Sequence, residues 1–157
     1  MAADFEGGDG PDIEFGTYVR MDGKGGADQL GSDAGVFTRI YGGDDDDAVF
    51  YVGIATAALY GDGGNDSITG GALDDKIFGG GGNDWMFGGL GKDILKGEGG
   101  KDHFGFASVP GSAADRDVIK DFSVKKDVLN FVPGAFTAPT PGETLLKSEF
   151  RLGARAK

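Results

Sequence analysis

Residues 61–105 read GDGGNDSIT (61–69), GGALDDKIF (70–78), GGGGNDWMF (79–87), GGLGKDILK (88–96) and GEGGKDHFG (97–105). Set in blocks of nine, they share glycine at position 1, aspartate at position 6 and a large apolar residue at position 8. The aspartates are Asp66, Asp75, Asp84, Asp93 and Asp102; the apolar residues are Ile68, Ile77, Met86, Leu95 and Phe104. A flexible glycine linker has no reason to keep this register, so the stretch is one structural unit repeated. Periods of this kind signal solenoid architectures.

Upstream, GKGGADQLG (23–31) and GGDDDDAVF (42–50) fit the same template, with Asp28 and Asp47 at position 6 and Leu30 and Val49 at position 8. The glycine-poor, apolar stretches SDAGVFTRIY (32–41) and YVGIATAALY (51–60) separate them. Counted in pairs of units the period is nearly constant: Asp28, Asp47, Asp66, Asp84 and Asp102 form one ladder, and Asp75 and Asp93 a second, half a period away. A turn plus a three-residue strand, twice per coil, describes a parallel β-solenoid in which each coil stacks on the last. Strand side chains alternate, so position 8 points inward and positions 7 and 9 outward. Trp85, Phe50, Phe78 and Phe87 are therefore expected on the outside, covered by the C-terminal segment. Residues 7–15, GGDGPDIEF, put Glu14 at the inward position and read as a degenerate first coil or cap.

Composition bounds the function. The chain has 157 residues, one domain with at most a small appendage, and carries 26 acidic against 15 basic residues, a net charge of −11. Such a surface repels nucleic-acid phosphates and anionic lipid and attracts cations. Of the 32 glycines, 28 lie in the first 105 residues. The charge is just as uneven: residues 1–105 hold 20 acids and 7 bases, and 106–157 hold 6 acids and 8 bases. With no cysteine, disulfides, thiolate-bound zinc and thiol catalysis drop out together. The opening MAADFEGGDG has neither a basic start nor an apolar core, so no cleavable Sec-type signal is expected, and no apolar run is long enough to span a membrane.

One inward side chain per nine residues buries too little to offset the ordering of a glycine-rich chain. Something outside the sequence must supply the difference. Turns rich in glycine can adopt positive φ and leave carbonyls uncovered, and each turn here ends in a carboxylate. Carbonyl and carboxylate oxygens, six or more around one ion, are calcium's ligand set; magnesium prefers small octahedra and keeps its water.

GGGGNDWMF and its neighbours resemble the G-G-x-G-x-D-x-U-x nonapeptide of RTX (hemolysin-type) calcium-binding proteins. The resemblance is strong over 23–105 and weaker over DVIKDFSVKKDVLNF (117–131), which is similar to the region that follows the repeats in serralysin-type members. It implies an all-β fold, a right-handed parallel β-roll with a C-terminal β-rich cap. The domains it suggests are a degenerate N-terminal coil or cap (1–22), the calcium-binding roll (23–105) and a capping segment (106–157). In that family each ion lies between turns one coil apart. The upstream turn lends the carbonyls of positions 2 and 4 and its aspartate; the downstream turn lends the carbonyls of positions 1 and 3 and its aspartate. Carried over, Asp62, Gly64 and Asp66 meet Gly79, Gly81 and Asp84, and Gly80, Gly82 and Asp84 meet Gly97, Gly99 and Asp102. On the opposite edge Gly71, Leu73 and Asp75 meet Gly88, Leu90 and Asp93. Two earlier sites pair Lys24, Gly26 and Asp28 with Gly42, Asp44 and Asp47, then Gly43, Asp45 and Asp47 with Gly61, Gly63 and Asp66. Five calcium ions are implied.

Two positions depart from the pattern. Asp45 and Leu73 replace the position 4 glycine, which requires a strained or altered turn. The ten-residue units 32–41 and 51–60 lack the motif, so the second edge is expected to carry no metal there and to close by apolar packing. Asp117, Asp121 and Asp127 could hold one more ion.

Other readings fail on residue type. The run Asp44–Asp47 would need glycine and glutamate where Val49 and Ala55 stand to be an EF-hand loop. Gly91-Lys92-Asp93 lacks the hydroxyl residue of a phosphate loop, His103 is the only histidine, and no G-x-S-x-G elbow occurs. No enzymatic activity is expected. In the C-terminal part, a Pro-rich break (133–142) and a short helix over ETLLKSEF (143–150) are expected. In many relatives, the stretch resembling SEFRLGARAK (148–157) continues into a further hairpin and an export signal. The expected function is a calcium-binding module that folds on binding metal after type I secretion to the extracellular medium or cell surface. The alternatives are the non-catalytic tail of a secreted protease, lipase or alginate epimerase, and an adhesive or carbohydrate-binding surface protein.

Overall fold

A computed structural model describes residues 3–106 and 116–131. The helix expected at 143–150 lies outside the described residues, as does the Pro-rich break. All described regular structure is strand, and among the described residues no helix is long and apolar enough to cross a membrane. One sheet contains β1 (Ala3–Glu6), β3 (Tyr18–Asp22), β5 (Thr38–Asp44), β7 (Ala57–Gly63), β9 (Lys76–Gly81), β11 (Ile94–Gly99) and β13 (Val118–Ile119). The other contains β2 (Ile13–Gly16), β4 (Gln29–Ser32), β6 (Ala48–Tyr51), β8 (Ser67–Thr69), β10 (Trp85–Phe87), β12 (His103–Phe106) and β14 (Val128–Phe131). Each sheet runs through its strands in sequence order and pairs them in parallel. The chain therefore alternates between the sheets, laying one strand in each per coil, and the fold is a parallel β-roll.

The register follows from what each strand buries. In the second sheet Leu30, Val49, Ile68, Met86, Phe104 and Leu129 stand opposite one another from coil to coil. In the first, Phe5, Met21, Ile40, Leu59, Ile77, Leu95 and Ile119 do the same. These two columns face each other and form the core, with every member from Met21 to Phe104 no more than 1% exposed. The ten-residue units thus supply Ile40 and Leu59 to the column that Ile77 and Leu95 continue. Glu14 takes the inward place below Leu30 and is held there half-buried, accepting a hydrogen bond from the Tyr18 hydroxyl at 2.5 Å.

Strand length departs from expectation in one sheet. The second-sheet strands are three or four residues long, but β5, β7, β9 and β11 run on through positions 1–3 of the following turn. The sequence pattern signals only the side-chain alternation, and glycines that follow it still pair through their backbone.

The sheets set aromatic residues on the outside into stacked pairs and rows. Tyr41, Tyr60 and Phe78 stack at centroid distances of 4.6 and 4.8 Å, and Phe15 leans on Phe50 at 5.0 Å. Trp85, 44% exposed, stacks with His103 at 4.2 Å. Of the C-terminal segment expected to cover these rings, residues 116–131 supply β13 and β14 and carry both ladders one coil further; the rest lies outside the described residues.

Coil spacing makes some glycines irreplaceable. Gly82 has φ of +131°, and a Cβ there would collide with the carbonyl of Gly64 in the preceding coil. Gly81, next to it, has ordinary φ, and a Cβ would meet only the Asp62 carbonyl, at 3.9 Å. Gly82→Ala is expected to cost about 1–3 kcal/mol from backbone strain alone, with the collision adding to it. Gly81→Ala should stay within about 0.5 kcal/mol of wild type. Thermal melts of the two variants at saturating calcium check the contrast; equal midpoints would contradict it.

Candidate metal centres

The turns joining first-sheet to second-sheet strands stack along one edge of the roll: 7–12, 23–28, 42–47, 61–66, 79–84 and 97–102. Within this stack each position 6 aspartate is held by the coil before it. The N–H of Asp28 donates to Oδ1 of Asp47 at 2.8 Å, Asp47 to Asp66 at 2.8 Å, Asp66 to Asp84 at 2.9 Å and Asp84 to Asp102 at 3.2 Å. Asp12 starts the chain by donating to Asp28, and Asp102 passes it on to Asp127. The second edge repeats the device, from Ala57 to Asp75 (2.6 Å), Asp75 to Asp93 (2.8 Å) and Asp93 to Asp117 (3.0 Å).

One oxygen of each carboxylate is thereby used. In five of them the other is not: Oδ2 of Asp28, Asp47, Asp66, Asp84 and Asp93 is buried with no hydrogen-bond partner. A buried acceptor left unmet costs about 1–3 kcal/mol, and more when charged. Burial accordingly pushes these acids up, to about 6 for Asp47 and Asp84 and about 7 for Asp66 and Asp93. Burial also raises Asp28, Asp75 and Asp102.

Position 1 glycine explains itself here. A Cβ on Gly61 would meet both Oδ2 of Asp66 and the carbonyl of Gly79 in the next coil, and Gly23, Gly42 and Gly79 stand in the same relation to Asp28 and Gly42, Asp47 and Gly61, and Asp84 and Gly97. A bare α-carbon leaves room for the carboxylate of one turn and a carbonyl of the next to converge. Positions 2 and 4 have positive φ in 23–28, 42–47, 61–66, 79–84, 88–93 and 97–102, which turns successive carbonyls of those turns alternately. Asp45 is one of the non-glycine residues forced there, at φ 79°. Leu73 instead avoids positive φ, so the turn 70–75 is altered where 42–47 is strained. Gly81 and Gly99 accept one backbone bond each, from the N–H groups of Gly64 and Gly82, and keep a second lone pair.

The donor set is oxygen only, from two carboxylates and main-chain carbonyls per interval, and it suits a hard divalent cation such as calcium. No group of three or more acidic, histidine or cysteine side chains that could hold a metal occurs among the described residues. The residues expected on the first edge are brought together in the expected order. On the second edge 70–75 and 88–93 do stack, with the Leu90 N–H donating to the Gly71 carbonyl at 3.0 Å.

Two sequence expectations are corrected. Between 32–41 and 51–60 the second edge is closed by polar groups: the Tyr51 hydroxyl donates to the Ala34 carbonyl and accepts from the Ala55 N–H, and Ser32 Oγ donates to the Tyr18 carbonyl. The apolar Val52 and Ile54 point outward, 68% and 80% exposed. Asp117, Asp121 and Asp127 do not form one cluster. Asp117 belongs to the second edge, whereas Asp121 accepts from the N–H groups of Gly97 and Glu98, and Asp127 from Asp102, on the first.

Sequence reasoning also missed a ladder at position 5. Asp46 accepts from the Asn65 N–H at 2.6 Å, Asn65 from Asn83 at 2.9 Å and Asn83 from Lys101 at 2.9 Å. The Asn in G-G-x-G-N-D was the available signal, since Asn and Asp bond readily to nearby backbone.

Among protein-family models, that of the RTX calcium-binding nonapeptide repeat, built of 4 copies, matches residues 60–95 and, in a second register, 70–104. No curated protein and no solved structure is similar enough to count as a match. Units 23–31 and 42–50 fall outside the matched span but share its backbone conformation and its unmet carboxylate oxygens.

Proposed function

We propose, from the premise that residues 60–104 are RTX calcium-binding repeats, that this chain is a module whose fold is completed by binding several calcium ions, with no catalytic role. The observation that carries the reading is the five buried Oδ2 atoms without a partner, each beside a turn that offers carbonyls. Bound calcium supplies the positive charge that lets such carboxylates stay ionised out of water. The ligands on the first edge are those given by the repeat register, the turns 23–28, 42–47, 61–66, 79–84 and 97–102 acting in successive pairs, and on the second edge the turn 88–93, with the unmet Oδ2 of Asp93, holds one further ion.

Linkage gives the biological reading. A chain that folds only where calcium is abundant stays extended in the calcium-poor cytoplasm and suits a type I exporter, which handles unfolded substrates; folding then follows in the extracellular medium. A tagged chain retained in cells with an intact type I exporter would count against that route. The adhesive alternative is weakened by Trp85, one face of whose ring is occupied by His103.

Equilibrium dialysis against calcium, with bound ions counted per chain, tests the core claim. About five ions are expected; fewer than three would refute the assignment.

A further inference from the structure

The two nonapeptide turns of the second edge differ in a way the sequence pattern hides. In 88–93, Gly89 and Gly91 have φ of 103° and 110°, matching Gly80 and Gly82 at 113° and 131° on the first edge. Asp93 is fully buried and its Oδ2 has no donor. In 70–75 neither Gly71 nor Leu73 has positive φ. The Gly71 N–H instead turns back to donate to Oδ2 of Asp75 at 2.7 Å.

The same closure occurs at the start of the first edge. In 7–12 the Gly8 N–H donates to Oδ2 of Asp12 at 2.8 Å, and Gly8 and Gly10 also lack positive φ. Two states of one turn are therefore present. In the closed state the turn's own N–H satisfies the carboxylate and positions 2 and 4 keep negative or extended φ. In the open state positions 2 and 4 present carbonyls beside a carboxylate oxygen that nothing meets. By the repeat's own logic, the upstream partner of a site must lend the carbonyls of positions 2 and 4. The turn 70–75 is in the wrong state to do so; 88–93 is in the right one.

Asp117 occupies the next level of the stack after 88–93. It accepts from the Asp93 N–H at 3.0 Å, the same bond that Asp93 accepts from Asp75, and the Val118 N–H donates to the Asp93 carbonyl at 2.8 Å. Asp117 thus holds, one coil on, the place of a position 6 aspartate, although it lies beyond the repeats. Its Oδ1 is thereby anchored against the Asp93 backbone, one level from the carboxylate of Asp93, whose Oδ2 no donor meets.

The geometry points to a calcium site between the turn 88–93 and Asp117, formed by the carboxylates of Asp93 and Asp117 and the carbonyls of Gly89 and Gly91. The interval between 70–75 and 88–93, which the repeat spacing assigns to the second-edge ion, holds none. This inference rests on the calcium reading above and moves one ion of the set by a coil.

Native mass spectrometry of the full chain titrated with calcium chloride tests it. Asp117→Asn keeps a side-chain oxygen for the Asp93 N–H and removes the charge; it should bind one calcium fewer than wild type. Asp75→Asn should bind as many as wild type. An unchanged count in Asp117→Asn, or one fewer in Asp75→Asn, overturns the site. If circular dichroism shows that Asp117→Asn does not fold, the Asp75→Asn count decides alone by the same criterion. A wild-type chain that binds no calcium would sink the functional reading itself, a different result from either variant outcome.

Discussion

Treatment with excess EGTA at pH 8 is expected to abolish most of the β-strand circular dichroism of this chain, and millimolar calcium to restore it. An ion that binds only the folded form at ten times its dissociation constant contributes about 1.4 kcal/mol, so five supply roughly 7 kcal/mol, the stability scale of a whole domain. Without them the fold keeps the coil-to-coil bonds of Asp28, Asp47, Asp66 and Asp84, which tie neighbouring turns. It also keeps five buried carboxylate oxygens that nothing meets, four of them stacked one coil apart on the first edge and therefore mutually repulsive when ionised. Those bonds are individually worth only about 1 kcal/mol net, and the two-column core is one side chain wide per strand. Magnesium at equal concentration should restore less, because the ligands are fixed main-chain carbonyls and it sheds water reluctantly. Spectra that stay the same through chelation and restoration would end the proposal that metal completes the fold.

Much of this arrangement is legible in the residues alone. Ile68, Ile77, Met86, Leu95 and Phe104 sit at the one apolar position of a nine-residue register, and glycine at position 1 with aspartate at position 6 fixes where the turns lie. Burial of all five side chains follows from strand alternation alone. The opposite half of the early core is hidden: Met21, Ile40 and Leu59 belong to glycine-poor stretches where several apolar residues compete, and only pairing with Ile77 selects them. The state of each turn is hidden too. Glycine permits positive φ without requiring it, so Gly71 in a closed turn and Gly89 in an open one look alike in sequence. Asp117 lies 24 residues after Asp93, a longer interval than the repeat, and no spacing rule sets it in the stack.

Acid should act on this chain in two opposite senses. In the metal-free fold Asp47 and Asp84 are pushed up to about 6 and Asp66 and Asp93 to about 7, because burial disfavours their charged forms. The unfolded values are near 3.8 for each. A group raised in this way binds its proton more tightly in the fold, so the stability it contributes is fully present below the unfolded value and is lost as pH rises through the folded one. EGTA-treated protein that is unfolded at pH 8 is therefore expected to gain strand signal as the pH falls below about 6. Calcium-loaded protein should respond the other way, because the ion must displace those protons to reach the carboxylates. Below the raised values, affinity should drop by about tenfold per pH unit for each proton displaced. Calorimetric titrations at pH 6.5, in buffers of differing ionisation heat, should show protons released as calcium binds, and titrations at pH 8 should show almost none. A calcium affinity that is flat from pH 8 to pH 5.5 would mean that these aspartates are not the groups the ion meets, whatever the fold's dependence on metal.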